Sequence, residues 1–329
     1  MTNEFAIINI CDFLSDYSTE DRRVAIAQQM AQAAIEHGFF YLSGVPADLL
    51  SQAEALFGQL QIFFAAPLEV KQSLAWSSVS SNQGYIGLGQ ESLDPNQPPD
   101  LKEALNVRPG FVPQTETEQN LLAVWPAHLA EFRQALFDFY SLANQLAMQV
   151  LEGFAIALSL PPHFFTQHHQ HQQLHTLRCL HYPALVQSPE QLPTGQLRAG
   201  EHTDYGSITL LFQQAIGGLE VQTPRGRWLA APPVPDTILV NIGDLLQRWT
   251  NDILRSTPHR VKPTHHQVSR YSIALFCDPD PDTVVTCINA SPVSKIGNQA
   301  GSGAGADFSP HYPPIRADTY LASRLARTY

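Results

Sequence analysis

After Leu174 the chain stops reading as helical. Eight short apolar runs follow one another, LHTLRCLHY, SITLLFQ, LEVQT, RWLAA, TILVNI, HRVK, RYSIALFC and TVVTCI, separated by Gly, Pro, Asp and Asn. Runs of this length are too short for ordinary helices, and their branched and aromatic residues suit a pleated, half-buried surface. The pattern predicts an antiparallel sandwich or closed barrel. No βαβ alternation runs through it, which leaves a doubly wound or TIM-type reading poor.

The residues before it are of mixed type. A β-like run spans Phe5 to Ile10, and a helix is expected from about Thr19 to His37, opened by Ser18 with Asp21 three residues on and stopped at Gly38. A strand follows at Phe39 to Val45; Pro46 then opens a helix reaching about Phe64, and Pro67 a shorter one. Residues 77–114, rich in Ser, Gly, Pro, Asn and Gln, predict a loop-dominated excursion with a β-like piece at Glu103 to Val107. Long loops in compact domains often carry function. Between about Glu116 and Leu160, apolar residues including Phe132, Leu136, Phe139, Leu146 and Val150 recur every three or four positions and predict a scaffolding helix. From about Ser291 a Gly/Ser/Ala stretch predicts a flexible loop, and a helix is expected near Ala317 to Thr328. The expectation is one compact, mainly β unit with packed helices. It comprises an N-terminal α/β extension (1–115), scaffolding helices (116–172), a β-rich core (173–280) and a C-terminal strand, loop and helix (281–329).

A formal net charge of -11 with no Lys/Arg-rich run argues against nucleic acid or an anionic membrane as partner. A small-molecule substrate fits better. No run approaches the roughly 20 apolar residues of a membrane span, and the start lacks a basic segment followed by an apolar one, so the expected address is cytoplasmic. Cys11, Cys179, Cys277 and Cys287 form no C-x-x-C pair and read as reduced thiols.

Within the β-rich half stands H-T-D at His202, Thr203 and Asp204, and 55 residues beyond Asp204 comes His259 in STPHRV. Residues i and i+2 of a strand point to one side, so His202 and Asp204 can converge on one ion. Two histidines and a carboxylate with no fourth ligand match the three-ligand face of non-haem Fe(II) sites, which leaves positions open for other ligands. In a chain with thirteen histidines H-x-D alone is weak, and a surface turn is the bland reading. Its company strengthens it. Arg270 opens the apolar strand RYSIALF, where a guanidinium calls for a bidentate anion; the distal carboxylate of a dicarboxylate is one, with the Ser272 hydroxyl as second donor. A structural salt bridge is the alternative.

Other residues stay open at this level. Alternation puts Arg178 on one face with Tyr182 and opposite His181, so Arg178 either meets an anionic substrate or forms a structural ion pair. Asp244 in NIGD either orients a ligand histidine from behind or shapes a turn. Leu211 and Phe276 line a cavity or belong to the core. The tract 163–175 holds five histidines and reads as an exposed connector rather than a metal site. His265 and His266 read as a solvated turn.

The order H-T-D, NIGDLLQRWTN (241–251), STPHRV (256–261) and RYS (270–272) resembles the iron- and 2-oxoglutarate-dependent dioxygenases, in the branch of isopenicillin N synthase, plant aminocyclopropane-carboxylate oxidase and gibberellin oxidases. HGFFYLSGV (37–45) resembles that branch's N-terminal segment, and GYIGLGQES with DLKEALNV its central one, so the resemblance spans nearly the whole chain. It implies a double-stranded β-helix, or jelly roll, with helices outside. His202, Asp204 and His259 would hold Fe(II), Arg270 and Ser272 the far carboxylate of 2-oxoglutarate, and Tyr182 in LHYP would assist. O2 would oxidise an unactivated C–H bond by hydroxylation, desaturation or ring closure, with release of succinate and CO2. Plant members carry asparagine two residues before that tyrosine; Leu180 stands here, which puts plant-type substrate roles in doubt. The intact Asp204 excludes the halogenase variant. Two rivals remain: an oxidase that uses no 2-oxoglutarate, as isopenicillin N synthase and the plant ethylene-forming oxidase also keep R-x-S, and a non-catalytic jelly-roll binding module with an inert metal site.

Overall fold

The alternating runs form strands close to where the sequence places them. The computed structural model describes residues 4–91, 98–108, 129–263, 267–289 and 309–328. In chain order its strands are β1 (Ile7–Asn9), β2 (Phe39–Ser43), β3 (Gly84–Ile86), β4 (Glu103–Val107), β5 (Thr176–Tyr182), β6 (Ala199–His202), β7 (Ile208–Gln213), β8 (Leu219–Gln222), β9 (Trp228–Ala230), β10 (Ile238–Ile242), β11 (His259–Val261), β12 (Arg270–Cys277), β13 (Val284–Val285) and β14 (Ile315–Arg316). The helices are α1 (Cys11–Leu14), α2 (Glu20–Glu36), α3 (Ala47–Ala65), α4 (Leu68–Gln72), α5 (Ala130–Ala157), α6 (Asp244–Trp249) and α7 (Ala317–Leu325).

Two sheets make the frame. The larger has eight strands in the order β1-β2-β10-β7-β12-β5-β4-β3, and the smaller has four in the order β6-β11-β8-β9. The N-terminal strands β1 to β4 are therefore not a separate layer: they extend both edges of the larger sheet. Residues on β2 show why both its faces are apolar. Phe40 and Leu42 join the core shared with α2, α3 and α5, whereas Phe39 and Tyr41 join the core between the sheets. Each fully buried Leu or Phe of such cores contributes roughly 1.5–3 kcal/mol. The stripe Phe132, Leu136, Phe139, Leu146 and Val150 of α5 is buried as its spacing predicts, and α5 packs against α2 and α3.

Local signals explain most boundaries. The hydroxyl of Thr19, not Ser18, caps α2 by accepting from the Arg22 amide at 3.4 Å. Gly38 follows with φ +69°, and a Cβ there would stand 2.2 Å from the Arg255 carbonyl oxygen, so only glycine closes this turn. Pro46 and Pro67 precede α3 and α4 directly. The strand expected over Phe5 to Ile10 is shortened to β1. The expected helical start near Glu116, the Gly/Ser/Ala stretch, His265 and His266 lie outside the described residues.

The histidine tract is corrected in part, since His163 and His171 are exposed as a connector predicts. His169 and His175 are fully buried rather than exposed. His169 donates through Nδ1 to the Phe165 carbonyl at 2.8 Å, and its Nε2 accepts from the Ser207 hydroxyl at 3.0 Å, the tautomer these partners select. Among the described residues no metal cluster includes the tract.

Candidate active site

Strand pairing assembles the three residues that the sequence could only align. His202 is the last residue of β6 and His259 the first of β11, and the two are direct cross-strand partners. Their rings lie 4.3 Å apart between centroids. Asp204, in the turn after β6, brings Oδ1 to 3.9 Å from His202 Nε2 and 3.6 Å from His259 Nε2. One ligand atom from each of the three lies within 4.8 Å of the others, close enough to share an ion.

Their supports come from different elements. Each histidine's Nδ1 faces a backbone carbonyl, Gly200 at 2.7 Å for His202 and Thr257 at 3.1 Å for His259, which fixes the tautomer that turns the Nε2 lone pair toward the ion. Asp204 Oδ2 accepts from the Thr209 hydroxyl at 2.5 Å and the Asn241 amide at 2.7 Å, leaving Oδ1 for a metal. Burial, then the neighbouring His259, push His202 down to about 3, so it stays neutral. Burial opposes the Asp204 carboxylate, yet His259, His202, Asn241 and Thr209 together hold it below the usual range. Neutral imidazoles and ionised carboxylates are the forms that bind a divalent cation.

Arg270 lies in the same cavity, 4% exposed, with its guanidinium 4.7 Å above the Tyr182 ring. It donates to the Ile216 carbonyl at 3.3 Å, the Ser272 hydroxyl at 3.3 Å and the Gln213 side-chain oxygen at 3.1 Å. Among the described residues it has no carboxylate partner, so the salt-bridge alternative is not realised. A buried cation lacking its counterion fits an anionic co-substrate. The donor set of the triad likewise fits Fe(II).

The other candidates divide. Arg178 faces the cavity and also forms an ion pair: it donates to Asn106 Oδ1 at 3.0 Å and to Glu91, which in turn meets Lys102. His181 lies on the opposite face, 2.7 Å from Glu103 and stacked on Tyr271. Leu211 and Phe276 line the cavity. Asp244 does not touch either histidine. Its carboxylate accepts from Ser256 at 2.7 Å and Tyr320 at 2.8 Å, and its backbone amide donates to the Asp204 carbonyl at 2.8 Å. It ties α7 to the H-T-D turn instead.

Several contributors escape sequence reasoning. Asn241 carried a signal, a lone amide in the apolar run TILVNI. Lys102, Arg108 and Asp278 line the cavity too, as do Leu321, Leu325 and Thr328 of the C-terminal segment, and nothing local in the sequence marks them.

Comparison with known proteins agrees with this geometry. Residues 169–279 match the 2OG-Fe(II) oxygenase superfamily, and residues 8–128 match the N-terminal region of the non-haem dioxygenases in morphine synthesis. The chain is 36% identical to the proline hydroxylase buaE of Petromyces alliaceus over 98% of both chains. It is 34% identical to the validamycin A dioxygenase of Streptomyces hygroscopicus subsp. limoneus, over 87% of this chain and 78% of that one. The crystal structure of a full-length Neurospora crassa protein in complex with alpha-KG and thymine superposes with a TM-score of 0.85 at 32% identity, covering 100% of this chain and 99% of the other. Relatives that are hydroxylases, and neighbours that hold the 2-oxo acid, favour 2-oxoglutarate use over the independent oxidase and the inert binding module. With the fold, the triad and these relatives in agreement, the chain belongs to the 2OG-Fe(II) oxygenase superfamily and is an iron- and 2-oxoglutarate-dependent dioxygenase.

Proposed function

We propose that His202, Asp204 and His259 hold the Fe(II), that Arg270 and Ser272 hold the distal carboxylate of 2-oxoglutarate over the Tyr182 ring, and that the protein hydroxylates a C–H bond of a small polar metabolite in the cytoplasm. The observation that carries this reading is Arg270, a buried guanidinium without an acidic partner among the described residues, in the same cavity as the triad. Iron and 2-oxoglutarate supply the oxidation: substrate, O2 and 2-oxoglutarate become hydroxylated substrate, succinate and CO2, with one oxygen atom of O2 entering the alcohol and the other the succinate.

The chain's own groups bind and orient. Arg270 aims the dicarboxylate so that its 2-oxo acid end points toward the triad. The Gly200 and Thr257 carbonyls keep both imidazoles in the metal-facing tautomer. Arg178, held by Asn106 and Glu91, contributes a polar wall against which the substrate lies. Leu321 and Leu325 of α7 cover the cavity and keep bulk water from the reacting C–H. Hydroxylation is favoured over desaturation or ring closure because relatives include a proline hydroxylase and a homoarginine-6-hydroxylase.

The test is anaerobic titration of the Fe(II) protein with 2-oxoglutarate, followed by the weak visible charge-transfer band of the chelate. The band should form in the wild type and require at least tenfold more co-substrate in Arg270→Ala. Bound iron without a band would defeat the 2-oxoglutarate assignment, and loss of iron binding on replacing His259 by alanine is expected from the ligand assignment.

A further inference from the structure

The cavity-facing residues of β12 alternate as Arg270, Ser272, Ala274 and Phe276, and the same alternation runs past the end of the strand to Asp278. Phe276 is the cross-strand partner of Thr209, whose hydroxyl holds Asp204. The level of the triad thus falls along this line, with Arg270 far to one side and Asp278 just beyond it on the other.

Asp278 is 5% exposed. The other buried acids around the cavity are satisfied: Glu91 by Arg178 and Lys102, Asp100 by Lys102 and the Gly200 amide, Asp204 by Thr209 and Asn241. The Asp278 carboxylate has no hydrogen-bond or ion-pair partner among the described residues, although it faces the cavity. Burial pushes it up to about 7, opposed by the Arg108 guanidinium and aided by the Asp204 charge. A carboxylate that lines a cavity and has no protein donor among the described residues is free to accept from a ligand there. Space is kept for it: a Cβ at Gly206 would stand 1.8 Å from its Oδ1. Arg108, which also lines the cavity, is anchored by Nε to Thr176 at 3.0 Å and by a terminal nitrogen to the Ser80 carbonyl at 3.0 Å. A fixed donor and a free acceptor therefore share the end of the cavity that 2-oxoglutarate does not need.

We propose that Asp278 recognises the primary substrate by accepting a hydrogen bond from an N–H group, with Arg108 facing a carbonyl or carboxylate oxygen of the same molecule. The substrate class is a small nitrogen compound with adjacent N–H and C=O groups, such as a cyclic amide or an amino acid. This deepens the iron and 2-oxoglutarate reading and rests on it.

The experiment titrates the anaerobic Fe(II)·2-oxoglutarate protein with thymine, L-proline and L-homoarginine, and with nitrogen-free D-glucose, reading binding by calorimetry and by the shift of the charge-transfer band. At least one nitrogen compound should bind, glucose should not, and Asp278→Ala should weaken that binding tenfold or more, with Asp278→Asn intermediate because it keeps an acceptor oxygen. The band and its 2-oxoglutarate dependence should be unchanged in both variants. Wild-type affinity in Asp278→Ala, binding of glucose alone, or binding of no compound overturns the proposal. Loss of the band in the variants also overturns it, by placing Asp278 in the iron site. Absence of the band in the wild type defeats the underlying iron and 2-oxoglutarate reading itself.

Discussion

At the scale of single residues, each member of the His202, Asp204 and His259 triad is held from behind. Asp204 depends on two donors on neighbouring strands, Thr209 of β7 and Asn241 of β10. Asn241→Ala should remove one and let the carboxylate turn, weakening Fe(II) binding by about 10–100-fold. An anaerobic iron titration measures this, and activity should return when Fe(II) is raised; unchanged affinity would show that Thr209 alone suffices. The convergence of the three residues was legible, since H-x-D in an alternating run places two of them on one face and R-x-S follows the third. Asp278 was not legible, because D-P-D after a strand reads as a turn, and only its phase with Arg270 sets it apart. Asp244 stays open in the sequence between a histidine partner and a turn, because the residues that reach its carboxylate, Tyr320 and Ser256, lie outside its own segment.

At the scale of elements, α7 is the part whose existence and purpose come from different sources. Its helical spacing is visible in the sequence, whereas its docking rests on bonds to distant residues: Tyr320 to Asp244 at 2.8 Å, Arg324 to the Thr203 hydroxyl at 3.2 Å, and Thr328 to the Tyr205 hydroxyl at 2.9 Å. An amphipathic pattern tells which face is buried and not against what. The helix thus clasps the H-T-D turn while Leu321 and Leu325 line the cavity. Truncation after Arg316 should leave Fe(II) and 2-oxoglutarate binding within about threefold but raise the ratio of succinate to oxidised product severalfold, as water reaches the cavity. Coupled assays of both products check this; an unchanged ratio would mean that α7 is scaffold only.

At the scale of the whole molecule, buried histidines set the acid limit. Burial holds His169 down to about 4 from 6.5 and His175 well below it. As pH falls from about 6.5 to about 4 the unfolded chain takes up protons that the native state refuses, so stability drains away across that window, by roughly 3 kcal/mol for His169 alone. Asp278, whose native carboxyl keeps its proton up to about 7, and Asp100, also pushed up by burial, act in the reverse sense, whereas His168 and His202, both held down by burial, add to the acid loss. Urea unfolding from pH 7 to pH 4 should show the loss, and His169→Gln should show a shallower one by about one proton; equal slopes would mean that His169 titrates as if exposed. The sandwich itself was readable from short apolar runs. The union of N- and C-terminal strands in one sheet was not, because pairing between Leu42 and Ile238 leaves no local trace. That pairing has a consequence for biosynthesis. While the chain is being made, the apolar segment FFYLS has β1 on one side but lacks its other neighbour until β10 emerges, roughly ten to forty seconds at ordinary elongation rates. A nascent chain stalled in that interval would present a sticky, half-finished sheet.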